Sequence, residues 1–161
     1  MRFARTHRPQ VEVGPGERVL AWANTDGDVV LAGTRDAVYL PHRVPWEEVE
    51  SVGWDAESTT LRISEVGEWG EQRPEHAFVV AEPGRFLQLV RERVTASVVY
   101  QCAVAVADRR HLRVIARRAP GRPAELRWIY EYDDGVDPAD PAVRLAAAEA
   151  LATAQEELGE R

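Results

Sequence analysis

Hydrophobic and polar positions alternate over short runs through the first half of the chain: residues 18–24, 29–32, 37–40, 49–54, 59–63 and 77–80. Between them lie Thr25-Asp26-Gly27-Asp28 and residues 33–36, 41–45 and 56–58, all with turn chemistry. Strands this short and evenly spaced predict an antiparallel sheet that bends or closes rather than a parallel βαβ sheet. Gly14-Pro15-Gly16 predicts a turn, and residues 1–10, polar and without period, a frayed tail. Residues 65–75 read as a polar loop whose large apolar residue is Trp69.

The period then lengthens. Phe86, Val90 and Val94 recur every four residues with Leu87 beside them, which predicts a helix over 84–94. Alternation returns at Val98, Tyr100, Cys102, Val104 and Val106, and again over 111–117 and 125–132, predicting a three-stranded meander. A second helix follows: Asp140 suits the N-cap, Pro141 the first turn, and Val143, Ala147, Ala150, Leu151, Ala154 and Leu158 form one stripe. The expected organisation is a tail (1–10), a β-sheet domain closed by its helix (11–94), and a βββα extension (95–161) packed with it. The class is α+β, mostly β.

With 161 residues and 45% hydrophobic side chains, the chain can bury a core without disulfides or metal. The single cysteine, Cys102, excludes an internal disulfide and favours a reducing compartment. The first residues lack the apolar run of a signal peptide, and no stretch is apolar enough to span a membrane, so a cytoplasmic location is expected. A net charge of −7 disfavours generic nucleic-acid binding. Every one of the basic residues is arginine, a composition that fits a high-GC bacterial genome and makes arginine the default base.

Candidate chemistry is sparse. Glu47, Glu48 and Glu50 resemble an acid/base cluster, but strand periodicity sends neighbours to opposite faces, and nothing supplies the His, Ser or Cys partner that would make Glu48 and Glu50 more than a solvated edge. Asp133, Asp134, Asp137 and Asp140 miss the spacing of a calcium loop and are explained by a turn and a helix cap. Cys102 falls on an apolar face, and His7, His42, His76 and His111 are far apart in sequence without metal-ligand spacing. Phosphate-loop, dinucleotide and nucleophile-elbow motifs are missing. No catalytic, cofactor-binding or metal-ligating residue is therefore expected, and the chain reads as a non-enzyme. Residues 109–127 are the exception to this blandness, with seven arginines against Glu125, a local net of +6 that leaves −13 elsewhere. Alternation places Arg113, Ile115 and Arg117 on one face beside Arg127 and Ile129, and these five form the candidate interaction face.

Residues 16–94 resemble the pleckstrin-homology/GRAM superfamily, in particular bacterial PH-like domains. The resemblance rests on Gly16-Glu17-Arg18-Val19-Leu20, then residues 28–40 ending in Ala37-Val38-Tyr39-Leu40. It continues through Val44-Pro45-Trp46-Glu47-Glu48-Val49, Thr60-Leu61-Arg62-Ile63 and the helix from Gly84 to Val90. It implies an antiparallel barrel or sheet closed by a C-terminal helix, used to bind lipids, peptides or further copies of itself. The first hairpin turn, where phosphoinositide-binding members are basic, is acidic here at Asp26 and Asp28. The resulting expectation is a non-enzymatic binding or scaffolding module acting through protein partners or self-association. The alternative is a peripheral binder of anionic lipid or nucleic acid that uses residues 109–127.

Overall fold

The computed structural model describes residues 9–67 and 72–159. Most of the expected tail, and Trp69, lie outside the described residues. The chain divides into two compact units, Met1–Thr95 and Ala96–Arg161. The described residues are mostly β, with three antiparallel sheets and two α-helices.

In the first unit, β1 (Ala21–Asn24), β2 (Val30–Gly33), β3 (Ala37–Leu40) and β4 (His42–Pro45) form one sheet in that order. A short 3-10 turn, Trp46–Glu48, leads into β5 (Val49–Asp55), which with β6 (Thr60–Glu65) and β7 (Glu75–Val79) forms a second sheet. The expected barrel is not closed. The 3-10 turn interrupts the chain between β4 and β5, and no ladder joins the two sheets, so each keeps its own edge strands. Helix α1 (Gly84–Ser97) completes the unit. Phe86, Leu87, Val90 and Val94, the stripe read from the four-residue period, are all buried with Leu31, Val38, Leu40, Trp46, Leu61 and Ile63. The residues at 42–45, read as a turn, are a strand. Pro45 is tolerated there because β4 is an edge strand and needs no N–H on its open side.

One polar cluster organises the start of this unit. Thr34 is fully buried between β2 and β3, and its hydroxyl accepts from the Asp36 and Ala37 amides at 3.2 and 3.1 Å. The same hydroxyl donates to Glu17 Oε1 at 2.6 Å, while the Thr34 carbonyl accepts from the buried Trp46 indole at 3.0 Å. Glu17 Oε2 accepts from the Tyr39 hydroxyl at 2.6 Å and from Arg43 Nε at 3.1 Å. Tyr39 in turn accepts from the Gly14 amide at 2.7 Å, which ties the leading loop to β3. Burial alone would raise the Glu17 carboxyl, but the hydrogen bonds from Thr34, Tyr39 and Arg43, with the Arg43 charge, hold it at about 2.

The second unit is a meander of β8 (Val98–Ala107), β9 (Arg110–Arg117) and β10 (Arg127–Tyr132), with β9 central, and helix α2 (Pro141–Glu157). Asp140 caps α2 by accepting from the Ala142 amide at 2.8 Å, and Pro141 occupies the first turn. Val143, Ala147, Ala150 and Ala154 are buried with Leu112 and Val114, and Trp128, Tyr130 and Leu151 pack partly against them. Small residues on that stripe let the helix backbone approach the sheet. Leu158, assigned to the stripe from the sequence, is instead the exposed C-cap. The β8–β9 hairpin turns on Asp108 and Arg109, with φ of 40° and 64°. Two residues with positive φ are what a tight two-residue hairpin requires, a position normally filled by Asn-Gly or Asp-Gly.

Two stability outcomes follow from these contacts. The Glu17 carboxyl is depressed from an ordinary value of 4.5 to about 2, so its contribution is fully present above pH 4.5 and fades as pH falls through 2. Glu17→Gln should cost about 3 kcal/mol at pH 7, and urea melts should show the gap narrowing at pH 3. Arg109→Gly removes a side chain from a left-handed position and should stabilise by about 1 kcal/mol in the same measurement.

Candidate functional site

The arginine-rich segment was the strongest site signal in the sequence. Antiparallel register sets Arg127 opposite Arg117, Ile129 opposite Ile115 and Glu131 opposite Arg113. The five expected residues therefore do share one face, opposite the Leu112/Val114 face that packs with α2. Their exposure differs from that of a solvated stripe. Ile115 and Arg117 are each only 5% exposed, while Arg113, Arg127 and Ile129 are half-buried. Arg113 Nη2 donates to Glu131 Oε1 at 2.8 Å, and Arg117 Nη1 donates to the buried Ser97 hydroxyl at 2.9 Å. Arg110 donates to the Gly135 carbonyl at 3.0 Å, and Arg109 sits in the hairpin turn. Much of the local positive charge is thus engaged inside the unit.

The acidic candidates disperse in the same way. Glu47 and Glu48 lie in the 3-10 turn, so strand periodicity does not govern them, contrary to the sequence reading. Glu50 pairs with Arg73. Glu47 Oε2 is buried and has no hydrogen-bond partner among the described residues. Asp133 Oδ2 accepts from the His111 amide at 2.8 Å, Asp137 Oδ1 from the Ala139 amide at 2.9 Å, and Asp140 caps α2. These aspartates terminate β10 and start the helix. Cys102 is half-buried beside the α2 core.

The histidines behave otherwise than expected. His42, first residue of β4, and His76, second residue of β7, both aim Nε2 at Glu65 Oε2, at 3.2 and 2.5 Å. Ile63 is the register partner of His76, so Glu65, two residues along β6, projects from the same face as His76. The imidazole rings lie 5.0 Å apart. Expected as turn or surface residues far apart in sequence, His42 and His76 instead lie in strands and converge on one carboxylate, with His42 still exposed. The signal was hidden because β4 was not legible as a strand and the ligand-type residues come from three separate strands. Burial alone would raise the Glu65 carboxyl, but hydrogen bonds from His76 and His42 bring it below its ordinary value.

The open strand edges also differ from one another. Among the described strands, β1, β4, β5, β7, β8 and β10 are sheet edges. β4 carries Arg43 and Pro45, β5 carries Glu50 and Asp55, β7 carries Glu75, and β10 carries Arg127 and Glu131. β1 is uncharged but only four residues long. β8, VVYQCAVAVA, runs ten residues without a charge or a proline. Tyr100, Cys102, Val104 and Val106 pack towards α2, whereas Gln101, Ala103, Ala105 and Ala107 are exposed. Bulges near its two ends leave residues 100–105 in regular register with β9.

No family model, curated protein or solved structure matches the chain. Function has to be argued from these sites.

With Arg117 buried on Ser97 and Arg113 paired to Glu131, the segment should act on stability more than on polyanions. Arg117→Ala should cost about 1–3 kcal/mol in urea melts, through the lost hydrogen bond and packed stem. Sedimentation of the intact chain with vesicles rich in phosphatidylserine at physiological salt should leave it in the supernatant. Salt-sensitive co-sedimentation lost in the Arg113/Arg127 double Glu variant would reverse that reading.

Proposed function

We propose that this chain is a non-enzymatic binding module of PH-like type that acts by self-association, with β8 as the joining edge. The order of elements supports the PH-like part of the reading: a four-stranded meander, a three-stranded sheet, then the helix that ends the first unit.

The observation that carries the proposal is the charge-free length of β8. A sheet edge presents a row of N–H and C=O groups able to pair with another chain, and proteins that stay monomeric blunt such edges with charge, proline or short length. Each of the other described edges has one of these devices; β8 has bulges at its ends and nothing along its middle. A second copy of the same strand suits it electrostatically. The neighbouring strand β9 carries Arg110, Arg113 and Arg117, and two copies of it would repel, whereas β8 opposes no charge to its own copy. Antiparallel pairing about a two-fold axis would extend two three-stranded sheets into one of six strands, with both copies of α2 on one face. The groove beside β1, lined by Leu20, Trp22, Ala81 and Arg85, is flanked by too short a strand to offer a comparable ladder.

Analytical ultracentrifugation of the full chain at micromolar concentration tests this. The parent chain should sediment as a dimer, and Ala103→Glu combined with Ala105→Glu as a monomer of unchanged helix and strand content. Both positions are exposed, and Arg113 is the cross-strand neighbour of position 103, so the folded monomer tolerates the change. A monomeric parent chain, or a dimer that survives both substitutions, would contradict the proposal.

A further inference from the structure

The first unit contains a second, independent feature, and from it we infer a binding site for a divalent transition metal ion, zinc by preference, formed by His42, Glu65 and His76. The ligand atoms, one from each residue, all lie within 4.8 Å of one another. Both histidines present the same nitrogen, Nε2, to one carboxylate oxygen. Two imidazoles and a carboxylate, with a position left for water, are a donor set that suits zinc and neighbouring first-row ions. Calcium and magnesium prefer all-oxygen shells and fit it poorly.

Distances are close to those a bound ion would set. Zinc with nitrogen and oxygen ligands at 2.0–2.2 Å in tetrahedral geometry separates its donor atoms by about 3.4 Å. The His42–Glu65 separation, 3.2 Å, already matches. The His76–Glu65 contact, 2.5 Å, has to open by roughly 1 Å, within reach of side-chain rotation at the strand ends. As the site stands, Glu65 Oε2 receives both rings in hydrogen bonds. An ion binding there takes the place of the Nε2 protons, which pass to Nδ1 of a neutral ring or to water from a doubly protonated one; it then binds two neutral Nδ1–H imidazoles through Nε2 and keeps the carboxylate as its charged ligand.

Placement favours function over accident. Glu65 and His76 are held on neighbouring strands of one sheet, with side-chain exposures of 17% and 24%, while His42 comes from the edge strand of the other sheet and is 51% exposed. Two of the donors are thus fixed by a backbone ladder and partly screened from water. The third reaches in from the solvent side and leaves a face of the ion open. An ion at this point would join the two sheets of the first unit, which share no ladder, and so would stabilise that unit as well as offer a coordination position to an external ligand.

Calorimetric titration of the full chain with zinc chloride, a thermal melt with and without zinc, and the visible spectrum with cobalt(II) form the test. One equivalent of zinc should bind and raise the melting temperature, and cobalt should give the intense bands of a four-coordinate site. His42→Ala and His76→Ala should each weaken zinc binding by roughly tenfold or more, while magnesium and calcium leave the melt unchanged. His42 is half exposed, so its variant keeps the fold, and a circular dichroism spectrum identical to that of the parent chain verifies this. Absence of zinc heat and of a melting shift in the parent chain would overturn the inference. So would zinc binding undiminished in both variants, which would place the ion elsewhere.

Discussion

Among the described residues, three sheets that do not close into a barrel leave open edges, and every open edge exposes backbone donors and acceptors that water, a side chain or another chain must satisfy. That constraint orders much of this molecule. It accounts for Pro45 and Arg43 on β4, the carboxylates along β5, and Arg127 and Glu131 on β10. It also singles out β8, where ten residues pass without a charge. A strand of that length left bare in a soluble monomer invites uncontrolled pairing; paired with its own copy about a two-fold axis, the same strand becomes a defined interface.

The polar groups taken inside follow a related logic. Glu17 is removed from water only because Thr34, Tyr39 and Arg43 supply its hydrogen bonds, and the arrangement fixes the turn between β2 and β3 and the loop before β1 at once. Arg117 is buried against the Ser97 hydroxyl, and Arg113 is held by the carboxylate directly across the ladder. In a chain whose bases are all arginine, several guanidinium groups serve as internal fasteners, which is why a dense run of them is a poor guide to what the surface binds.

Much of the architecture was legible because it rests on periodicity. The α1 stripe, the alternation of β8 and β9, and the Asp140-Pro141 start of α2 each encode burial or capping locally. The failures were equally physical. Prolines at 41 and 45 gave β4 the look of a turn, since proline marks turns and edge strands alike. The Trp46–Glu48 turn is fixed by a tertiary hydrogen bond, from the Trp46 indole to Thr34, that no local pattern announces. Alternation set Arg113, Arg117 and Arg127 along one side of the sheet, but the burial of Ile115 and Arg117 depends on tertiary packing. With β4 read as a turn, the convergence of His42, Glu65 and His76 could not be seen, because it exists only once three strands are in register.

Self-association through β8 is the claim on which the functional account rests. Amide hydrogen exchange resolved along residues 98–107 tests it most directly, because the amides on the open side of β8 have partners only if a second strand is present. The account requires that alternate β8 amides be protected at high protein concentration and lose protection on dilution, while the β9 amides remain protected throughout. Rapid exchange of the same β8 amides at every concentration would contradict it.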